Sequence, residues 1–320
     1  MPSGDRRLPR PTDQAFLATD SLGGATEPTY GGALSFMRRR YSRDLRGVDL
    51  VVWGVPFDAA VSNRPGARFG PQAIRRASAI FDSDPQWPFG LDPWQRLRAI
   101  DWGDCSFDYG RPQDVPACIR TQAEEILASG AMLLTLGGDH SITLPLLQAH
   151  AARHGPLALV QFDAHQDTWH DSDDRVDHGN FVACAVRHGL IDPTRSIQIG
   201  IRSVAPTDCG LAIIDGEALQ ELGVAAVVER IRARVVGAKA YLTFDIDCLD
   251  PAFAPGTGTP VAGGPSSAQV LMILRRLGAI DWVGTDVVEV APPYDHADIT
   301  AIAGATVAMY AAGLLAERRG

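Results

Sequence analysis

The side chains of this sequence that could do chemistry stand in short clusters of acidic residues and histidine. Residues 163–167 read DAHQD, residues 245–247 read DID, and residues 137–140 read GGDH. Carboxylates and imidazoles are typical ligands of divalent metal ions in enzymes. Carboxylates without a counter-charge are costly to bury, and a bound cation removes that cost. The clusters therefore predict an enzyme-like metal centre.

Each cluster follows an apolar run. The runs are residues 132–136, 157–162 and 241–244, and runs of this kind are typical of parallel strands buried on both faces. In sheets built from such strands, ligands bind beyond the carboxyl ends of the strands. We therefore expect the metal centre at the carboxyl ends of several strands.

Alternate residues of a strand face the same side of its sheet. On that basis we expect Asp163, His165 and Asp167 to point the same way. The same argument applies to Asp245 and Asp247. A core strand has no reason to end in unpaired carboxylates on one face, which again indicates a metal centre.

Apolar periodicity and turn residues predict alternating strands and helices from Val48 onward. The predicted strands span residues 48–55, 97–101, 132–136, 157–162, 196–201, 211–214, 241–244 and 282–287. The predicted helices span residues 70–78, 115–129, 141–154, 225–236, 267–277 and 299–316. This alternation favours an α/β fold with three layers, α/β/α, around a mostly parallel central sheet.

The chain of 320 residues is long enough for one large α/β domain or for two smaller ones. No interdomain linker is visible, so we predict a single catalytic domain over residues 31–320. Residues 1–30 are rich in Pro, Gly, Arg and Thr, which predicts an irregular N-terminal arm. Two long loops, 61–70 and 251–265, are expected to frame the mouth of the site.

Composition and charge restrict the partners. The formal net charge is −9, which argues against nucleic acid or an anionic membrane and suits a small cationic molecule. The five cysteines are scattered and form no CxxC pair, as expected for reduced thiols in a cytoplasmic protein. We expect no apolar run that spans a membrane and, because residues 1–11 are polar, no secretory signal.

The ligand set indicates which metal the centre would hold. Six side chains are candidate ligands: His140, Asp163, His165, Asp167, Asp245 and Asp247. This set exceeds what one zinc ion needs and suits Mn²⁺, with Fe²⁺, Co²⁺ and Ni²⁺ as alternatives. It favours two ions, which lie about 3.5–4 Å apart in two-metal enzymes. Two divalent cations against four carboxylates leave no surplus positive charge, so a cationic substrate fits better than a phosphate.

Three sequence blocks resemble the signature blocks of the ureohydrolase superfamily, which includes arginase, agmatinase and guanidinobutyrase. They are GGDHS at 137–141, DAHQD at 163–167 and DIDCLDPAFAPGTGTP at 245–260, and the resemblance runs from about residue 48 to the C-terminus. The resemblance implies an arginase-like fold and two Mn²⁺ ions per subunit. It implies that water activated between the ions attacks a guanidinium carbon.

The resemblance also implies roles for single residues. It distributes the ligands as follows: His140 and Asp167 on one ion, His165 and Asp247 on the other, and Asp163 and Asp245 bridging both. His178 resembles the acid/base histidine that protonates the leaving amine, and Glu289 resembles the carboxylate that binds the guanidinium group. Thr259 resembles a threonine near that group. A homotrimer or homohexamer is implied as well.

The tail of the substrate is left open by the residues. Stretches 287–295 (VVEVAPPYD) and 177–179 (DHG) are similar to bacterial agmatinases, which implies hydrolysis of agmatine to putrescine and urea. The acidic stretch 170–177 would favour a cationic tail, unless it is only a solvated loop. Arg64 or Arg68 could instead clamp a carboxylate. The alternative is therefore a guanidinobutyrase or guanidinopropionase.

Two further functional classes are compatible with an acidic metal site. One is a metallophosphoesterase, although the sequence contains no Gly-rich phosphate loop with lysine. The other is a non-catalytic relative that binds polyamines. Loss of a ligand or of His178 would indicate that relative, and every one of these positions is filled.

Overall fold

A computed structural model describes residues 15–17, 21–23, 27–81, 89–169 and 175–317. Its strands are β1 (Arg40–Tyr41), β2 (Leu50–Val55), β3 (Ala99–Asp104), β4 (Met132–Gly137), β5 (Ala158–Phe162), β6 (Ile197–Ile201), β7 (Ala212–Asp215), β8 (Lys239–Asp245) and β9 (Asp281–Val288). Its helices are α1 (Gly70–Ser78), α2 (Val115–Ala128), α3 (Thr143–His154), α4 (Phe181–Arg187), α5 (Gly216–Val235), α6 (Ser267–Leu274) and α7 (Ile299–Glu317).

The nine strands form one sheet in the order β1-β3-β2-β4-β9-β8-β5-β6-β7, and all the pairs are parallel. Helices α1, α5, α6 and α7 build an apolar core with one face of the sheet. Helices α2, α3 and α4 build a second core with the other face. The predicted three-layer α/β/α fold is confirmed. The strands are apolar because helices cover both of their faces.

Two helices differ from the prediction. Helix α5 begins at Gly216, nine residues before the predicted start at 225, and contains Gly223 with a φ of +71°. That left-handed residue interrupts the helical periodicity, which explains why only the second half was predicted. Helix α4 has seven residues and is too short to show a clear period. Most of the predicted arm, and residues 170–174 of the acidic stretch, lie outside the described residues, so the boundary at residue 30 stays a prediction.

Helix α7 is the single helix of the described chain that is long and apolar enough to cross a membrane. The expectation that no such run exists was therefore wrong. In the structure, 78% of its most apolar 18-residue window is buried, and the helix packs against α1 and β9. A helix that is apolar all round is also typical of the core of a large protein, and its burial here fits that position.

A row of buried polar side chains crosses the centre of the sheet. Register pairs Thr135 with Asp286, Asp286 with Thr243, Thr243 with Gln161, and Gln161 with Gln198. All five side chains are fully buried, and they lie on five adjacent strands. We call these five residues the polar belt. Burial of so many polar groups is costly unless they form hydrogen bonds.

An ion pair between Arg75 on α1 and Asp101 on β3 lies inside this fold. Arg75 donates from Nε to Oδ2 of Asp101 at 2.8 Å and from Nη2 to Oδ1 at 3.0 Å, and both residues are buried. Arg75→Met leaves the Asp101 carboxylate buried without this partner. We expect the free energy of unfolding to fall by about 3–5 kcal/mol, measured by urea denaturation.

The neighbouring Arg76 offers a matched control. Its guanidinium pairs with Asp298 at 2.5 Å, and both side chains are about half exposed. Arg76→Met is expected to change the free energy of unfolding by less than about 1 kcal/mol. Equal losses in the two variants would contradict a stabilising role specific to the buried pair.

Candidate metal centre

Four adjacent strands bring their carboxyl ends to one place. His140 lies on the turn after β4, Glu289 directly follows β9, Asp245 ends β8, and Asp163 directly follows β5. Strands β4, β9, β8 and β5 are neighbours in the sheet. The sequence clusters therefore meet beyond the carboxyl ends of the strands, as expected.

The alternation argument for this convergence was wrong. Strand β5 ends at Phe162 and β8 ends at Asp245, so most of the ligand candidates lie on turns rather than on strands. The turn after β5 is stabilised by a carboxylate of its own, because Oδ1 of Asp163 accepts the backbone N–H of His165 at 2.7 Å. Asp167 has a φ of +52°, a left-handed conformation that a continuing strand would not allow. Local turn geometry therefore aims these side chains.

The first group of ligand candidates surrounds His140. Its Nδ1 lies 3.1 Å from Oδ2 of Asp163, of Asp167 and of Asp245. All four residues are buried. Donor atoms of His140, Asp163 and Asp245 all lie within 4.8 Å of one another, which is a suitable donor set for a divalent ion of the Mn²⁺ type. Asp167 approaches the same nitrogen of His140.

The second group surrounds His165. Its Nδ1 lies 3.1 Å from Oδ2 of Asp247 and 3.5 Å from Oδ1 of Asp163. Asp163 therefore presents one oxygen to each histidine and belongs to both groups, which is the geometry of a bridging carboxylate. Asp245 faces His140, while its Oδ1 accepts the Asp247 N–H at 2.8 Å, so its bridging role stays a prediction.

The electrostatics of the cluster fit bound cations. Burial and the neighbouring Asp163 raise the pKa of Asp167 to about 7. Burial, with Asp247 and Asp163 nearby, raises the pKa of Asp245 well above its ordinary range. In the part of the chain that the structure describes, these carboxylates form ion pairs only with histidines. A site that crowds carboxylates in this way holds them ionised at neutral pH when divalent ions neutralise them.

Gln161, on β5, donates hydrogen bonds to two residues of the cluster and was not predicted from the sequence. Its Nε2 donates to Oδ2 of Asp163 at 2.7 Å and to Oδ2 of Asp167 at 3.3 Å. The signal was present, because Gln161 is a polar residue inside an otherwise apolar strand run. Its hydrogen bonds orient two ligand candidates.

His178 and Glu289 meet beside the cluster. His178 Nδ1 lies 3.1 Å from Oε1 of Glu289, and its Nε2 lies 2.7 Å from Oγ of Ser62. Burial alone would lower the pKa of His178, but the hydrogen bond and charge of Glu289 outweigh burial and raise the pKa to about 9. Ser62, a lone serine in the 61–70 loop, was not predicted as a site residue. His178 is thus positioned to hold a proton at neutral pH.

Glu289 is held in a strained and buried position. Its φ is +62°, and it is 1% exposed. Its Oε1 accepts the His140 N–H at 2.9 Å, while Oε2 has no hydrogen-bond partner among the described residues. Strained, unsatisfied groups of this kind are concentrated at functional sites. The free oxygen can accept hydrogen bonds from a bound ligand.

A cavity of about 320 Å³ lies over the cluster. Its lining includes His165, Asp167, His178, Asp245 and Thr259, together with Ser62, Trp169, Asp177 and Gly179. The structure therefore places Thr259 at the site, where its hydroxyl donates to Oδ2 of Asp247 at 3.3 Å. The cavity has room for a small ligand next to the metal candidates.

The first mouth loop is held by the buried carboxylate of Asp58. Asp58 accepts the Gly66 N–H at 2.7 Å and pairs with the guanidinium of Arg68. Arg68 is thus engaged in loop structure, which disfavours it as a substrate clamp. Arg64 is exposed, and its guanidinium lies 5.2 Å from the centre of the Tyr294 ring. Asn63 joins the two mouth loops by donating to the Gly258 carbonyl at 2.8 Å.

Comparisons with known proteins agree with this geometry. An agmatinase from Chromobacterium violaceum is 52% identical over 298 residues, covering 92% of each chain. A crystal structure of a hypothetical agmatinase from Burkholderia thailandensis superposes with a TM-score of 0.94 at 52% identity and covers 96% of this chain and 98% of that one. Proclavaminate amidino hydrolase from Streptomyces clavuligerus superposes with a TM-score of 0.87 at 38% identity, covering 91% and 99%.

The arginase family model matches residues 48–313. The matched region begins just before β2 and includes all six ligand candidates, His178, Thr259 and Glu289. Coverage of this extent, with relatives more than half identical over nearly the whole chain, identifies the family: the chain belongs to the arginase family.

Proposed function

We propose that this protein is a binuclear manganese hydrolase that cleaves the guanidinium group of agmatine to give putrescine and urea. The relatives of highest identity named above carry the name agmatinase. The shared position of Asp163 between two ligand groups supports a two-ion centre, and its oxygen-rich donors favour Mn²⁺.

The free oxygen of Glu289 is the observation that carries the choice of a guanidinium substrate. Oε2 is buried and lacks a hydrogen-bond partner among the described residues, and Glu289 contacts the cavity-lining His178, so a ligand that donates hydrogen bonds would satisfy this oxygen. A guanidinium group is planar, positively charged and rich in N–H donors that match a carboxylate. A phosphate would instead bring further negative charge to a cluster of carboxylates, which disfavours the phosphoesterase alternative.

The residues of this chain then divide the work of hydrolysis. Bound divalent ions supply a nucleophile at neutral pH by lowering the pKa of water. Glu289 binds and orients the guanidinium group. The amine that leaves is a poor leaving group until it is protonated. His178 carries a proton at Nδ1 toward Oε1 of Glu289, while its Nε2 accepts the Ser62 N–H at 3.0 Å. General acid catalysis of this kind contributes typically about 10²–10⁴ in rate.

The tail of agmatine is an ammonium group, and the cavity offers it suitable neighbours. Trp169 and Asp177 belong to the cavity lining, and aromatic rings and carboxylates both attract an alkylammonium. The Asp177 carboxylate also lies 3.4 Å from the guanidinium of Arg175. Arg68 is paired with Asp58. Arg64 favours the alternative, a guanidino compound with a carboxylate tail, because its guanidinium is exposed near the mouth.

Two further properties are proposed with this function. We propose a homotrimer or homohexamer, on the family resemblance. We propose a cytoplasmic location, supported by cysteines that are all free in the described residues. Reduced thiols of this kind are typical of that compartment.

The test is urea release by the Mn²⁺-loaded protein from agmatine, 4-guanidinobutyrate, 3-guanidinopropionate and arginine, assayed side by side. We expect kcat/KM to be highest for agmatine. A preference for a carboxylate-tailed compound would reject the agmatine assignment and point to Arg64. The absence of urea from all four compounds, in protein that retains two Mn²⁺ ions, would contradict a guanidinium substrate.

A further inference from the structure

Two members of the polar belt, Thr243 and Asp286, lie directly behind the ligand candidate His140. His140 Nε2 is 2.8 Å from Oγ1 of Thr243, and that hydroxyl donates to Oδ1 of Asp286 at 2.5 Å. All three side chains are at most 1% exposed. The chain of hydrogen bonds leads away from the cavity, so neither Thr243 nor Asp286 is in a position to touch substrate.

The hydrogen-bond donors around the Asp286 carboxylate are hydroxyl groups rather than cationic side chains. Its Oδ2 accepts from the Tyr241 hydroxyl and from Oγ1 of Thr143, each at 2.9 Å. Among the described residues it forms no ion pair with Lys or Arg. Burial raises the pKa of Asp286, and the hydrogen bonds from the hydroxyls of Thr243, Tyr241 and Thr143 oppose that rise by favouring the carboxylate. A carboxylate can only accept hydrogen bonds, so each of the three hydroxyls directs its hydrogen toward Asp286.

This arrangement determines where His140 carries its proton. Thr243 has one hydroxyl hydrogen, which is used on Asp286, so only its lone pairs face His140. Nε2 must then be the protonated nitrogen of the ring. Nδ1 is left unprotonated, and it is the atom that faces Asp163, Asp167 and Asp245 at 3.1 Å. A histidine binds a metal through its unprotonated nitrogen.

We propose that Asp286, acting through Thr243, is a positioning residue that fixes the tautomer and ring orientation of His140 and so sets the metal affinity of the His140 subsite. This inference rests on the two-ion centre of the proposed function. It gives two residues of the polar belt a functional role. Burying Asp286 costs stability, and in return the ring of His140 is already oriented for metal binding.

Thr135 provides a matched control within the same belt. It lies on β4, pairs in register with Asp286, and is as buried as Thr243. Its Oγ1, in contrast, has no hydrogen-bond partner among the described residues. Valine at either position keeps the shape of the side chain and removes one hydroxyl. Only at Thr243 does that hydroxyl connect Asp286 to His140.

The experiment measures Mn²⁺ binding to the full chain by isothermal titration, with electron paramagnetic resonance to distinguish a coupled pair of ions from a single ion. We expect Thr243→Val to lower the affinity for one of the two Mn²⁺ ions by about 10–100-fold. At limiting Mn²⁺ the resonance signal of the coupled pair should then change to that of a single ion. Thr135→Val is expected to bind both ions like the unaltered protein. Thr243→Ser, which retains the hydroxyl, is expected to restore both.

Asp286→Leu removes both acceptor oxygens of Asp286, and it decides the matter if Thr243→Val does not fold. We expect it to lower the affinity for the same ion by a similar factor, because the Thr243 hydroxyl is then free to donate to Nε2 of His140. Affinities in Thr243→Val or Asp286→Leu equal to those of Thr135→Val would overturn the inference while leaving the two-ion centre intact. An unaltered protein that binds no Mn²⁺ would overturn the inference and the proposed function together.

Discussion

Alanine in place of Asp163 is expected to abolish urea release and to lower the Mn²⁺ content from two ions to at most one. Asp163 is the carboxylate that faces both histidines, so its removal takes a donor from each subsite. Two bound metal ions would supply the nucleophile, so we expect turnover to fall by at least about 10³-fold when this ligand is lost. Metal analysis after gel filtration and a urea assay measure the two effects.

Asp215→Ala serves as the control for loss of a carboxylate elsewhere. Asp215 caps the start of α5 by accepting the Ala218 N–H at 2.8 Å. Its removal is expected to cost about 1 kcal/mol of stability and to leave both ions bound. Retention of two ions by Asp163→Ala would refute the assignment of Asp163 as the shared ligand.

Asparagine in place of His178 is expected to keep both ions and to reduce kcat by at least about 10²-fold. The side chain lies beside Glu289 and Ser62 rather than between the ligand candidates, so metal binding does not depend on it. His188→Asn, a change at an exposed histidine, is the matched control. Full turnover in His178→Asn with full metal content would exclude the acid role.

The pH dependence of kcat gives a second measurement of the same role. Burial lowers the pKa of His178, but Glu289 outweighs burial and raises it to about 9. The protonated acid is therefore present below that pH and is lost as pH rises through it, and bound cations shift this limit toward lower pH. We expect an alkaline fall in kcat that is absent from His178→Asn. An identical alkaline fall in that variant would assign the titration to another group.

The metal candidates could be predicted from sequence because each follows an apolar run that ends in acidic residues. The order of those runs in the sheet, with β4, β9, β8 and β5 adjacent, could not be predicted from the runs themselves. The aim of the side chains also depends on turns, as the positive φ of Asp167 shows. No periodic pattern reports such a conformation, so the alternation argument brought these side chains together for a geometric reason that the structure contradicts.

Ser62 shows where a single sequence provides no signal. It is one serine in an irregular loop, and it reaches His178 because the Asp139 carboxylate accepts the Ala60 N–H at 3.0 Å and so holds the loop against the site. That contact joins residues far apart in the chain. Asp286 and Thr243 differ, since both interrupt apolar strand runs and so were visible as anomalies. Their meaning depended on strand register, which only the folded sheet provides.

The polar belt has a consequence for how the sheet assembles. In a parallel sheet buried on both faces, apolar side chains of similar size give few constraints on how far one strand slides along the next. A slip of one residue would carry Asp286 or Gln161 to the opposite face, into the apolar core that α1, α5, α6 and α7 form with the sheet. A slip of two residues would separate Thr243 from Asp286 and leave the Asp286 carboxylate in the core without that hydroxyl donor. We therefore expect the polar belt to favour the native strand register during folding, because a mispaired sheet would bury the Asp286 carboxylate without its hydroxyl donors. The native register in turn places the ligand candidates close together before a metal ion binds.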